Sequence, residues 1–342
     1  PPRSLLLPFI STVPGNGPQS VVHENTRALV AALTTADSPW HGEHTCACTR
    51  ERLCVLRGVD EPLVEPLHEA PLIHGADFMG GGRTLCDEQR AQGRSGSDGE
   101  ASSPNFLPSF VEWLQPCAHE KVIVALGPLT NLAFALQASG DVAAAFSRAV
   151  SQGGPRIVWM GGAVRAPGNA SPVAEANAAC DPEAVARLFR HPNLSPKLTM
   201  FPLDVYEGAR VNATSLARLR ETPTFAARLV TRILQHEIDT FGSTEPGLGD
   251  AVTAICAVYP ELVHTTVHGH GSVALSGTAR GQTIVDTREP RYWLPPDRPI
   301  GQPTVRAVLD LDYAAVVRLF ERAILQGFTT TRSPVGSKRH RA

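Results

Sequence analysis

Missing from this 342-residue sequence is any hydrophobic run near the roughly 20 residues that a membrane-spanning helix requires. The best candidate, Leu5-Leu6-Leu7-Pro8-Phe9-Ile10, is short and broken by proline, so a soluble protein is expected. An excess of charge is missing too. The 31 basic and 33 acidic residues leave a formal net charge of -2, too small to draw nucleic acid or an anionic membrane. A neutral small molecule suits such a surface better. No Gly-x-Gly-x-x-Gly follows a predicted strand, which argues against a nicotinamide-dependent dehydrogenase. No Gly-Lys-Ser/Thr follows the glycines at 80, 81 and 82, so a phosphate cradle is discounted there.

Also absent is a Cys-x-x-Cys pair. Cys46, Cys48 and Cys54, with His41 and His44 ahead of them, form the one cysteine cluster and read as free thiols in a loop or as a zinc site of unusual spacing. Seven cysteines is an odd number in a chain too long to need staples, which favours reduced thiols and a cytoplasmic setting. No signal peptide is visible, and the sequons at Asn169, Asn193 and Asn212 would matter only in a secreted protein. The first residue is Pro1 rather than methionine, so residues missing upstream are expected.

What is present is enough apolar material for a large core. At 42% hydrophobic and 19% charged residues, the chain fits one α/β domain over 1–328, with a disordered basic tail over 329–342. Residues 37–59 read as an insertion and 92–105 as a mobile surface loop. Strands are expected near Leu5–Val13, Lys121–Leu126, Lys197–Leu203, Thr266–Leu275, Gln282–Asp286 and Thr304–Asp310. Helices are expected over Asn25–Leu33, capped by Asn25, and over Phe106–Leu114, Phe225–Thr240 and Tyr313–Gln326.

The most informative stretch is Arg156 to Glu183. Ile157, Val158, Trp159 and Met160 read as a buried strand, and Gly161-Gly162 then lets the backbone turn. Asp181-Pro182-Glu183 supplies an N-cap, a proline in the first turn and an acidic residue at a helix start. Between them lies a polar loop with Asn169, Ser171, Glu175 and Asn177, at the carboxyl end of a strand, where open parallel α/β sheets bind ligands. Two carboxamides around a carboxylate suit a polyhydroxyl ligand such as a sugar. By residue type alone the stretch is equally a solvated loop whose Asn and Ser residues make turns.

The run GNASPVAEANAACDPEA closely resembles the ribose-binding segment of the inosine-uridine nucleoside hydrolase family. Further segments resemble that family in turn. Gly15-Asn16 matches a strand end whose asparagine enters the active site. Residues 71–82, PLIHGADFMGGG, resemble a loop beside the base and contain His74. GPLTN after Leu126 resembles the turn where a backbone carbonyl binds calcium, and GLGDAVTAICAVYP resembles a His-Asp-Pro helix start, with Asp250 as the aspartate and Gly249 in place of the histidine.

The resemblance implies a Rossmann-like, mostly parallel sheet flanked by helices, and calcium-assisted hydrolysis of the N-glycosidic bond of a ribonucleoside to free base and ribose. It implies that Asn16, Met160, Asn169, Glu175, Asn177 and Asp250 hold the ribose. The Asp250 carboxylate and the Leu126 carbonyl would face the metal, and His74 or His236 would assist the leaving group. Homodimers or homotetramers are the family's common states. The family's opening strand, with its Asp-x-Asp-x-Gly-x-Asp-Asp run, has no counterpart in this sequence. That departure leads to the expectation of a missing first strand, a truncated amino terminus and a weak or absent calcium site. A silent relative that binds nucleoside or ribose without cleaving it is the rival reading, and loss of the histidine at 249 puts purine turnover by that route in doubt.

Overall fold

The computed structural model describes residues 7–34, 53–92, 106–115, 120–138, 141–152, 154–288 and 305–326. The first half of the chain gives β1 (Phe9–Thr12), α1 (Gln19–Leu33), β2 (Cys54–Arg57), α2 (Pro71–His74), α3 (Gly82–Gln92), α4 (Phe106–Leu114), β3 (Val122–Ala125), α5 (Thr130–Gln137), α6 (Asp141–Ser151) and β4 (Arg156–Met160). The second half gives α7 (Ala176–Cys180), α8 (Pro182–Arg190), β5 (Leu198–Phe201), α9 (Leu203–Tyr206), α10 (Ala213–Glu221), α11 (Phe225–Phe241), α12 (Asp250–Val258), β6 (Val263–Val273), β7 (Thr283–Asp286), β8 (Val305–Leu311) and α13 (Tyr313–Gln326).

A six-stranded sheet runs in the order β3-β4-β5-β8-β6-β7. Its first four strands are mutually parallel, and β6 and β7 close one edge antiparallel. The chain is thus α/β, with a mostly parallel sheet flanked by helices. β4 explains why the sheet is covered on both faces. Its residues from Ile157 to Met160 are all buried, and an uninterrupted apolar strand needs cover on both sides. Ile157 and Trp159 enter one core with Phe110, Phe146 and Phe189, while Val158 enters another with Val205, Val252 and Val316. Trp159 meets Phe189 edge to face at 6.3 Å, and its indole N–H donates to the Gly127 carbonyl at 3.2 Å.

The sheet is divided. β1 and β2 pair parallel with each other and stand apart from the six. β3 therefore ends the larger sheet, and its Val124 is 41% exposed although Val is a residue that strands normally bury. Asn131 at the start of α5 fastens the two parts together. Its amide donates to the Thr12 carbonyl at the end of β1 at 2.9 Å, and its carbonyl accepts the Val59 N–H just past β2 at 3.0 Å.

Two expectations are corrected. Asn25 does not cap a helix: α1 starts six residues earlier, after Pro18, and Asn25 lies buried within it. There its side chain donates to the Asp77 carbonyl at 2.7 Å and accepts from Arg83 at 3.1 Å, so a cap-type residue serves as a clamp to the loop that follows α2. Residues 54–57, placed in an insertion, form β2, and Leu56 is buried in the main core. The remainder of 37–59 is outside the described residues up to 52, as are Cys46 and Cys48, the loop beyond 92 and the tail.

Because Asn131 satisfies the Thr12 carbonyl at the end of β1 and the Val59 N–H just past β2, Asn131→Ala should cost about 1–3 kcal/mol of stability. Urea unfolding monitored by tryptophan fluorescence measures it, and a change within error would show that β1 is held by other contacts.

Candidate active site

The carboxyl end of β4 is built around a carboxylate. Gly162 adopts φ +80, a conformation that costs glycine nothing, and this turns its N–H toward Glu175, which accepts it at 2.8 Å through Oε2. Glu175 is the N-cap of α7: the same oxygen accepts from Ala178 N–H at 3.0 Å, and Oε1 accepts from Asn177 N–H at 2.8 Å. It is 1% exposed. The Asn177 carboxamide then reaches back to the strand, donating to the Met160 carbonyl at 3.1 Å. Asn169 is exposed at the rim, where its side-chain carbonyl accepts the Ala176 N–H at 2.8 Å. Asp204, beyond β5, holds the other side of the loop by accepting the Val164 and Arg165 N–H groups at 2.9 and 2.8 Å.

α12 brings in the second carboxylate. This helix packs on β3 and β4, and the Ala257 carbonyl near its end lies 3.5 Å from the guanidinium of Arg156 at the start of β4. The helix therefore runs against the strand direction, and Asp250 at its start sits at the strands' carboxyl ends. Burial pushes the Glu175 carboxyl up to about 7, despite three N–H donors that favour the anion, and the nearby Asp250 adds to the rise. Asp250 itself is pushed up to about 6 by burial. Tyr206, at the end of α9, is raised by burial first and then by Asp250, Glu237 and Glu175. Gly249, the residue before Asp250, lies against the Tyr206 ring, which brings the phenol beside the same floor.

Further loops adjoin this floor. Any side chain on Gly15 would meet the Pro128 ring at 3.0 Å, so Asn16 and the turn after Leu126 are neighbours. The Asn16 carbonyl accepts the Ala70 N–H at 2.9 Å, and Gly17 packs against the Phe78 ring. Asp77 organises that loop by accepting N–H groups from Met79 and Gly81 at 3.0 Å each and Arg83 at 3.2 Å, which outweighs its burial and lowers its pKa. His236 on α11 lies against Gly75 and Gly80. Its Nε2 donates to the Ile73 carbonyl at 2.9 Å, so that proton is already engaged. His74 lies near enough to His236 that burial and then the second imidazole lower its pKa.

Met160, Glu175, Asn177 and Asp250 thus share one floor, with Asn169 on its rim. Asn16 and Leu126 stand on two adjacent exposed loops, His74 ends α2, and His236 on α11 lies against the loop that follows α2. A family model described as inosine-uridine preferring nucleoside hydrolase matches residues 4–318. The chain belongs to this family.

Among its curated relatives, a probable uridine nucleosidase 2 of Arabidopsis thaliana is 29% identical over 83% of this chain and 86% of its own length. A pyrimidine-specific ribonucleoside hydrolase RihA of Shewanella is 30% identical over 73% and 78%. Solved nucleoside hydrolases share the fold. The plant PpNRh1 enzyme superposes with a TM-score of 0.72 at 22% identity, covering 93% of this chain and 90% of that one. A purine-preferring ribonucleoside hydrolase from Gardnerella vaginalis gives 0.70 at 23% over the same shares.

Sequence reasoning passed over Tyr206 and Asp204 of this nucleoside hydrolase. Both follow the strand Leu198–Phe201 directly, so the rule that ligands gather at strand carboxyl ends was the available signal.

The raised carboxyls set the pH dependence of the unliganded protein. The folded pKa of Glu175, about 7, lies above its ordinary 4.5, so the folded state keeps a proton that the unfolded state releases. Stability from this group is present at low pH and lost as pH rises through that window. The stability of wild type relative to Glu175→Gln should therefore shrink between about pH 5 and about pH 8. Urea unfolding of both proteins tests it, and a difference that grows with pH would show that the three N–H donors outweigh burial.

Proposed function

We propose that the pocket at the carboxyl end of β4 binds the ribose of a ribonucleoside, and that the chain hydrolyses its N-glycosidic bond to give free base and ribose. The observation carrying this reading is the joining of Glu175, Asn177 and Asp250 on one floor. Neutral hydroxyls can donate to these carboxylates without the repulsion an anionic ligand would meet. Water oxygen bonds to C1′ as the C1′–N bond breaks, its electron pair leaves with the base, and one proton of the water ends on the base. Holding the ring hydroxyls favours the geometry in which positive charge builds on the sugar.

A pyrimidine nucleoside is the favoured substrate. Curated relatives bear the names uridine nucleosidase and pyrimidine-specific hydrolase, and Gly249 removes the imidazole that the family places to protonate a purine. The free thiols of Cys86, Cys180 and Cys256 suit a cytoplasmic setting.

Calcium takes about six to eight oxygens, several of them anionic. The resemblance assigns it only the Asp250 carboxylate and the Leu126 carbonyl here. Among the described residues no group of three or more His, Cys, Asp or Glu could hold a metal ion. These residues do not by themselves fit calcium. That donor set favours a second reading, a relative that binds nucleoside without turnover.

Incubating the protein with uridine and inosine, with and without added calcium, and separating products by chromatography decides between them. Release of uracil, with Asp250→Asn lowering kcat/KM at least about 100-fold, supports hydrolysis. Saturable uridine binding without product at high protein concentration would instead establish the silent reading.

A further inference from the structure

Gly249 and Tyr206 are far apart in sequence and in contact in space. Gly249 adopts φ 52 and ψ -127, which L side chains rarely enter. A Cβ built on it would lie 2.7 Å from the Tyr206 hydroxyl oxygen and 3.1 Å from the ring carbon that bears it. Position 249 therefore holds no side chain for two independent reasons, backbone and space, and the phenol occupies the volume beside Asp250. Among the described residues no hydrogen bond engages the Tyr206 hydroxyl, nor is that oxygen one of the sealed polar atoms left without a partner. Tyr206 is partly exposed, and its hydroxyl lies against Gly249, the residue before Asp250.

We infer that Tyr206 is a specificity-determining residue whose hydroxyl hydrogen-bonds the base of a bound pyrimidine nucleoside, from the place a side chain at position 249 would otherwise fill. The inference rests on the ribonucleoside reading above.

The chemistry follows from what a neutral phenol can do. When the C1′–N bond breaks, its electron pair passes to the base, and in a uracil ring the resulting charge spreads onto carbonyl oxygens. Those oxygens are acceptors, and the phenol O–H donates to them without giving up its proton. The bond strengthens as charge develops, so it stabilises departure more than it stabilises the bound substrate. A purine leaves best when its imidazole ring takes a full proton, which a phenol among carboxylates supplies poorly. The same hydroxyl thus favours pyrimidines and leaves purines without help.

Tyr206→Phe removes only the hydroxyl. With the native pocket otherwise kept, kcat/KM for uridine should fall about 10- to 100-fold, with most of the loss in kcat. The loss should be clearly smaller for 5-fluorouridine, whose base leaves as a more stable anion and needs the hydrogen bond less. Binding of ribose alone, followed by calorimetry, should not change, and an unchanged melting temperature excludes a general loss of structure.

Equal losses on uridine and 5-fluorouridine, or no loss on either, would overturn the assignment while leaving the hydrolase reading in place. If wild type binds uridine without cleaving it, Tyr206→Phe should abolish the advantage of uridine over ribose in affinity, and an unchanged affinity overturns it. If wild type neither binds nor cleaves uridine, the ribonucleoside reading fails and this inference fails with it.

Discussion

One buried carboxylate holds the pocket together. Glu175 accepts hydrogen bonds from Gly162 after β4 and from Asn177 and Ala178 in the first turn of α7, so the loop leaves the strand and returns beneath it. Without those bonds, three backbone N–H groups would be left unpaired in a dry interior, which proteins rarely tolerate. The direction of the Asn177 carboxamide onto Met160 depends on that turn. So does the approach of Glu175 to Asp250, since α12 brings its first residue to the same strand ends. Burial makes these two carboxyls harder to ionise, and sugar hydroxyls that donate to them would offset part of that cost.

The surrounding frame has two sheets that share one hydrophobic core. β4 and β5, with Trp159, Phe189, Val205 and Val252 packed on their two faces, lie in the larger sheet. β1 and β2 form the other sheet, joined to the larger one through Leu56 and Phe9 in the main core, through the Asn131 amide and through contacts of the Gly15 and Gly58 turns. The exposed side chains of Val124 and Leu126 lie along this join, on the strand that ends the larger sheet. Glu175, Asn177 and Asp250 thus stand at the ends of the larger sheet's elements, His74 on the loop side and His236 on α11.

Elements with a local signature were legible in the sequence. The apolar run of β4, the Asp181-Pro182 cap and the amphipathic pattern of α11 each depend on neighbours in the chain, and they occur where that pattern places them. The turn from Asn169 to Asn177 was legible too, because most of its hydrogen bonds lie within a few residues of one another. Asn25 was misread, since an asparagine ahead of an apolar run has the same local appearance whether it caps a helix or reaches from the helix to a distant loop. β2 was lost in a stretch of polar and cysteine residues, and only its pairing with β1 reveals it. The contact of Tyr206 with Gly249 was invisible for the same reason, being a matter of tertiary distance alone.

The central claim is that loops from several strand ends make one furanose pocket on the floor set by Glu175. A crystal structure of the protein with ribose bound tests it most directly. The account predicts a single ring at the carboxyl end of β4, with hydroxyls in hydrogen-bond distance of Asp250 and of the Asn177 or Asn16 carboxamide. Ribose seated elsewhere, for example in the surface groove lined by Arg220, Arg228 and Arg232, with that floor untouched, would contradict it.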